Sequence, residues 1–208
     1  METIGLYLLR SAVWITGFTL VYLLFLRNER FFLLNRIYLI AGILASVILP
    51  MITIRYVVEV PVLQAGATAG PVTAALNQGV SWGRIPGMAL GAVWLTGVVA
   101  ILTRFVAQVI PVLRVAGKAD LRPDYPVKVI RSSEFPGSFS LFTFVVVNPS
   151  VSETETREIL NHELVHIKQM HWFDLVLSSL LCAVQWFNPA AWIYFRLIRQ
   201  NHEYLADE

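Results

Sequence analysis

Charge is what this chain has least of. Asp, Glu, Lys and Arg make up only 14% of its 208 residues, against 56% hydrophobic ones. A soluble domain carries about a quarter charged residues, so this balance points to a membrane protein. A single cysteine, Cys182, lies in an apolar run. It excludes an intrachain disulfide and reads as a small buried side chain rather than a reactive thiol. The net charge of +2 gives no basis for direct nucleic-acid binding. Lys and Arg are also absent from residues 56–83, a stretch rich in Ala, Gly, Val and Thr without helical or strand period. It reads as an external loop, 56–84, with no chemistry of its own.

Long apolar runs, by contrast, are plentiful. Segments 4–26, 37–54 and 85–103 each approach the roughly 20 residues a helix needs to cross a bilayer. The first offers no small-residue cleavage site and reads as a retained anchor, with Arg10 snorkelling to the headgroups. The connector "RNERFFLLNR" carries Arg27, Arg30 and Arg36, and Arg104, Arg114, Lys118, Arg122, Lys128 and Arg131 follow the third run. Positive charge stays in the cytoplasm, which predicts an external amino terminus and a cytoplasmic region from Arg104 to at least His171. The chain thus divides into a membrane region, 1–104, and a second region, 105–208. Gln108 and Pro111 interrupt 105–116, which reads as an interfacial or kinked lead into the latter. "YPVKVIRS" and "FSLFTFVVVNP" have the composition of two short strands. Ser152 or Thr154 then caps a helix whose first turns hold Glu153, Glu155 and Glu158.

That helix carries "NHELVHIKQMHWFD", with three of the four histidines. Residues four apart share a helix face, so His162 and His166 can aim two imidazoles at one metal ion. Glu163, beside the first, can reach water at that metal as general base. Zinc suits such a site because nitrogen and carboxylate ligands leave a position open. On a helix His171, turned about 500° from His166, points away from both and reads as a polar residue behind the ligands or at the surface. Asp174 reads as a cap for the next helix.

A third ligand must come from beyond the apolar stretch that follows. Asn188–Pro189 interrupts that stretch, and proline favours the first turn of a new helix. From Trp172 to Trp186, and again from Pro189 to Glu203, is roughly 21 Å of helix. A hairpin over 172–206, dipping into the bilayer or packed on the spans, therefore returns Glu203 and its neighbour His202 to the level of the histidine helix. The equal arms also predict a helix break near Met170–Trp172.

"NHELVHIKQMHWFD", "WFNP" and "NHEYLADE" together resemble the BlaR/MecR type of integral-membrane zinc metallopeptidase, the antibiotic-sensor peptidases. "FFLLNRIYLI" is similar to the connector and second span of one branch. The resemblance covers essentially the whole chain and is strongest from Phe135 to Glu208. It implies a mainly α-helical integral membrane protein: three transmembrane helices plus a cytoplasmic-side, gluzincin-like metallopeptidase domain with a small β-sheet and the membrane-dipping hairpin. It implies His162, His166 and Glu203 on zinc, with Glu203 preferred over His202, Glu163 as base, and Asp207 as the carboxylate that orients a ligand. It also implies a multi-pass protein of the bacterial inner membrane, in contact with lipid, cleaving a protein or peptide such as a transcriptional repressor or itself. Relatives usually continue into a fourth span and a further domain, so either a chain truncated after the ligand motif or a natural minimal version is expected. The alternatives are a quality-control metalloprotease of membrane proteins and a non-catalytic signal transducer. Metallopeptidases of this kind hold substrate against an edge strand. That role is expected of the stretch Phe139 to Val147, with Phe139, Leu141, Thr143 and Val145 beside the substrate; the alternative is an ordinary core strand.

Overall fold

The computed structural model describes residues 2–52, 84–117 and 127–207. The loop expected over 56–84 falls, apart from Arg84, outside them. Among the described residues, three helices are long and apolar enough to cross a membrane: Ile4–Leu26, Phe32–Met51 and Gly87–Ala116. The first consists of α1 (Glu2–Val21) and a wider π turn, Tyr22–Leu26. The second is α2 (Phe32–Ile48), tightened into a 3₁₀ turn at Leu49–Met51.

The second helix begins at Phe32, earlier than residue 37, because its polar residues find partners. The Asn35 amide donates to the carbonyls of Leu26 and Glu29 at 3.2 and 3.3 Å, closing the end of the first span. Arg36 therefore belongs to the helix and not to the connector. The third helix, α3 (Arg84–Ala116), continues past residue 103 through the segment 105–116, with Pro111 inside it. Proline removes one backbone donor and is tolerated in membrane-type helices. The turns beyond it are held by packing, since Val112 and Val115 are buried against Ile130, Phe144 and Val146 of the sheet.

The sheet has three strands, not two: β1 (Lys128–Arg131), β2 (Phe139–Leu141) and β3 (Phe144–Val147), in the order β1-β3-β2. β3 is central, parallel to β1 and antiparallel to β2. All four of its residues are buried, as expected for a strand covered on both faces. One face meets the end of α3; the other meets Leu160 of α4 (Glu153–Lys168). The run expected as one strand over 139–147 is a tight hairpin, turning at Phe142–Thr143 with Phe142 at φ 53°.

Ser152 caps α4 through a capping box: its hydroxyl accepts from the Glu155 amide, and the Glu155 carboxylate takes the Ser152 N–H. α4 ends at Gln169, Met170 turns left-handed at φ 54°, and α5 (His171–Val184) starts at once. α6 (Pro189–Asp207) returns antiparallel to it. The hairpin packs on all three long helices, α6 on α1 and α2, α5 on α2 and α3. Its apolar core joins Ile15, Leu39, Ile43, Cys182, Tyr194 and Ile198. Gly42 has no Cβ, so Tyr194 comes close enough to donate to the Leu39 carbonyl at 2.9 Å. The turn buries a closed polar chain in which Gln185 donates to Ser11 at 2.7 Å and Asn188 donates to Gln185 at 2.9 Å. Asn188 Oδ1 in turn accepts the Ala190 amide at 3.0 Å, capping α6. At its other end α6 meets the start of α2, where Asn201 donates to the Phe32 carbonyl and the rings of Phe32 and Tyr204 lie 5.2 Å apart. The ends of the hairpin arms thus stand at the α1–α2 connector.

Candidate metal centre

α4 places His162 and His166 on one face, and the hairpin brings Glu203 to them from α6. His162 Nε2 lies 3.3 Å from His166 Nε2 and 3.6 Å from Glu203 Oε2; the remaining separation is 4.0 Å. A point equidistant from three atoms so spaced lies about 2.1 Å from each, the bond length zinc makes with imidazole and carboxylate. Two neutral nitrogens and one carboxylate are also the donor set of an open zinc site. The residues fit the ion.

Asp207, one turn beyond Glu203, has Oδ1 3.2 Å from His162 Nδ1. Its carboxylate faces the nitrogen that the metal would leave free, the arrangement that fixes a ligand imidazole. Glu163 lines a cleft of about 570 Å³ beside His162. The walls are Pro136–Ser138, which lead into β2, together with Asn148, Ser150 and Val151; Glu158 and Ile159 continue the α4 face.

Around His166 the structure departs from expectation. His171 does not point away: its Nδ1 lies 2.7 Å from His166 Nδ1. The left-handed Met170 breaks the helix, so the 500° count does not apply and His171 folds back beneath its neighbour. The Gln169 side-chain oxygen, 3.0 Å from His171 Nε2, can only accept, so that nitrogen carries the proton. His171 Nδ1 must then accept from His166 Nδ1–H, which leaves His166 Nε2 with its lone pair free for an ion. Burial, then the neighbouring His202, His166 and Arg36, push the His171 imidazole down to about 3, consistent with a neutral ring. Burial likewise lowers His166.

Asp174 is not a cap. It is 1% exposed, and one of its oxygens takes hydrogen bonds from Arg36 Nε at 2.7 Å and His202 Nε2 at 2.8 Å. Burial opposes its ionisation, but those two donors more than offset it and hold the carboxyl below the usual range. His202 stays outside the ligand cluster and stacks on His171, ring centroids 4.0 Å apart and planes 3° from parallel. Sequence reasoning missed this network of Arg36, Gln169, His171, Asp174 and His202. The one available clue was a carboxylate in an apolar helix, which demands a buried partner.

The residues expected along a substrate strand separate. Phe139 and Leu141 are half-buried on β2, an edge of the sheet. Thr143 lies in the turn, and Val145 sits on the central strand, fully buried and paired on both sides. Only the β2 part of that stretch therefore presents an open backbone edge.

A family model described as BlaR1 peptidase M56 matches residues 39–208. No curated protein matches the chain.

Proposed function

The chain belongs to the BlaR1 peptidase M56 family, and on that premise we propose that it is a membrane-embedded, zinc-dependent endopeptidase. The observation that carries the reading is the convergence of His162, His166 and Glu203 from two helices onto one ion-sized point. Zinc held there would supply the Lewis acidity that makes water a nucleophile near neutral pH. Glu163 takes the proton of the attacking water and delivers it to the leaving amine. Asp207 holds His162, and the His171 contact holds the tautomer of His166. The peptide lies extended along the open edge of β2, with its scissile bond over the cleft floor at His162 and Glu163.

The substrate in this reading is a cytoplasmic or membrane-proximal protein, of the repressor-cleavage or self-cleavage type, and the pathway is signal transduction. Its cytoplasmic placement is supported by Arg27 and Arg30 in the connector beside which the centre stands. The external amino terminus follows from the same rule. Exposed apolar residues along α5, Phe173, Val176, Leu180 and Val184, are spaced to face lipid.

The test is purification of the chain in detergent, metal analysis, and cleavage of candidate membrane-proximal proteins. One zinc per chain is expected. Glu163→Gln should keep that zinc and slow cleavage by about 10²–10⁴-fold. Absence of zinc, or full turnover by Glu163→Gln, would refute the assignment.

A further inference from the structure

The Arg36 guanidinium reaches out of a membrane-type helix to the joint between the metal-binding helix and the hairpin. Its Nη2 donates to the Gln169 carbonyl at 2.6 Å, Nη1 to Gln169 Oε1 at 3.4 Å, and Nε to Asp174 Oδ2 at 2.7 Å. The first acceptor is the carbonyl of Gln169, the residue that caps the C-terminal end of α4, where a cation is favoured by the helix dipole. The second is the oxygen that takes the His171 Nε2 proton. The third also anchors His202, on which His171 stacks. All three arms of the fork therefore bear on where His171 sits and which of its nitrogens accepts.

We propose that Arg36 and Gln169 are positioning residues for the metal centre: Arg36 holds Gln169, Gln169 fixes His171, and His171 fixes His166 with Nε2 free to bind the ion. This rests on the zinc reading above. Neither residue touches the reacting atoms; both act through the His171–His166 contact. Lysine keeps the charge of Arg36 but cannot reach three acceptors in a plane, so Arg36→Lys breaks the fork. Gln169→Leu removes the acceptor at a half-buried position with a side chain of similar size.

The experiment measures zinc affinity of the full chain by chelator competition, and records the visible spectrum of the Co²⁺-substituted protein. Arg36→Lys and Gln169→Leu should each weaken zinc binding by about 10–100-fold and shift the Co²⁺ bands. The double variant should bind no more weakly than the worse single, because both act along one path. Circular dichroism and elution volume establish that each variant is folded, and Gln169→Leu decides the matter if Arg36→Lys is not. Folded variants with wild-type affinity and spectra, or two effects that add, would overturn the inference while leaving the zinc centre intact. A wild-type chain without zinc would overturn both.

Discussion

His162 and His166 stand one turn apart on α4 and face the same point, yet their backing differs in kind. His162 leans on Asp207, whose side chain is 68% exposed. His166 leans on His171, stacked on His202, which is held by an Asp174 side chain 2% exposed. The exposed side can rearrange in water at little cost, whereas the buried side has no solvent to replace a lost partner. One histidine is set by the surface and the other by the interior of the helical bundle.

The largest effect expected from this division is on stability. Asp174→Ala removes the buried carboxylate that Arg36 and His202 share and should cost about 3–5 kcal/mol in an unfolding measurement. Asp207→Ala should cost less than about 1 kcal/mol. Equal losses would erase the distinction.

The pH dependence probes the buried side alone. An unfolded His171 takes a proton near its ordinary 6.5, but the folded one refuses it until about 3. Stability is therefore full above the first value and is lost as pH falls from it towards the second. In the zinc-free chain the thermal midpoint should decline through that window, and less steeply in His171→Asn. An unchanged slope would show that the ring is not held neutral.

On the exposed side, Asp207→Asn should lower zinc affinity about tenfold, the small end of the range for partners behind a ligand. A hundredfold loss would mean that this carboxylate is as firmly placed as the interior network. Smallest of all, Ser152→Ala at the exposed start of α4 should lose about 1 kcal/mol from its capping box. It should not alter the metal affinity of either histidine's side.

The spans, the hairpin with its turn at Pro189, and the convergence of Glu203 on the histidines were legible because each depends on length, period or polarity along one segment. What escaped depends on contacts between segments. Phe142–Thr143 contains no Gly or Asn to announce a turn. The left-handed Phe142 is accommodated by packing on Trp172, with ring centroids 5.0 Å apart. The third span was read as ending at residue 103, with 105–116 a separate lead, because the sheet that covers Val112 and Val115 is invisible in local sequence. Arg36 looked like one more connector charge. Its partner Asp174 is 138 residues away, and no spacing rule joins the two. His171 escaped for a different reason: the break at Met170 was legible, yet a helical count was carried across it.

The return of α6 also sets an order in time. Glu203 is made 37 residues after His166 (203 − 166), which is roughly 2–7 s of synthesis at 5–20 residues per second. During that interval the histidine motif is complete but has neither its carboxylate nor Asp207. A chain stalled or clipped between the two carries the full signature and no finished centre. Until the hairpin has closed, the growing chain holds only two of the three groups that converge in the finished fold.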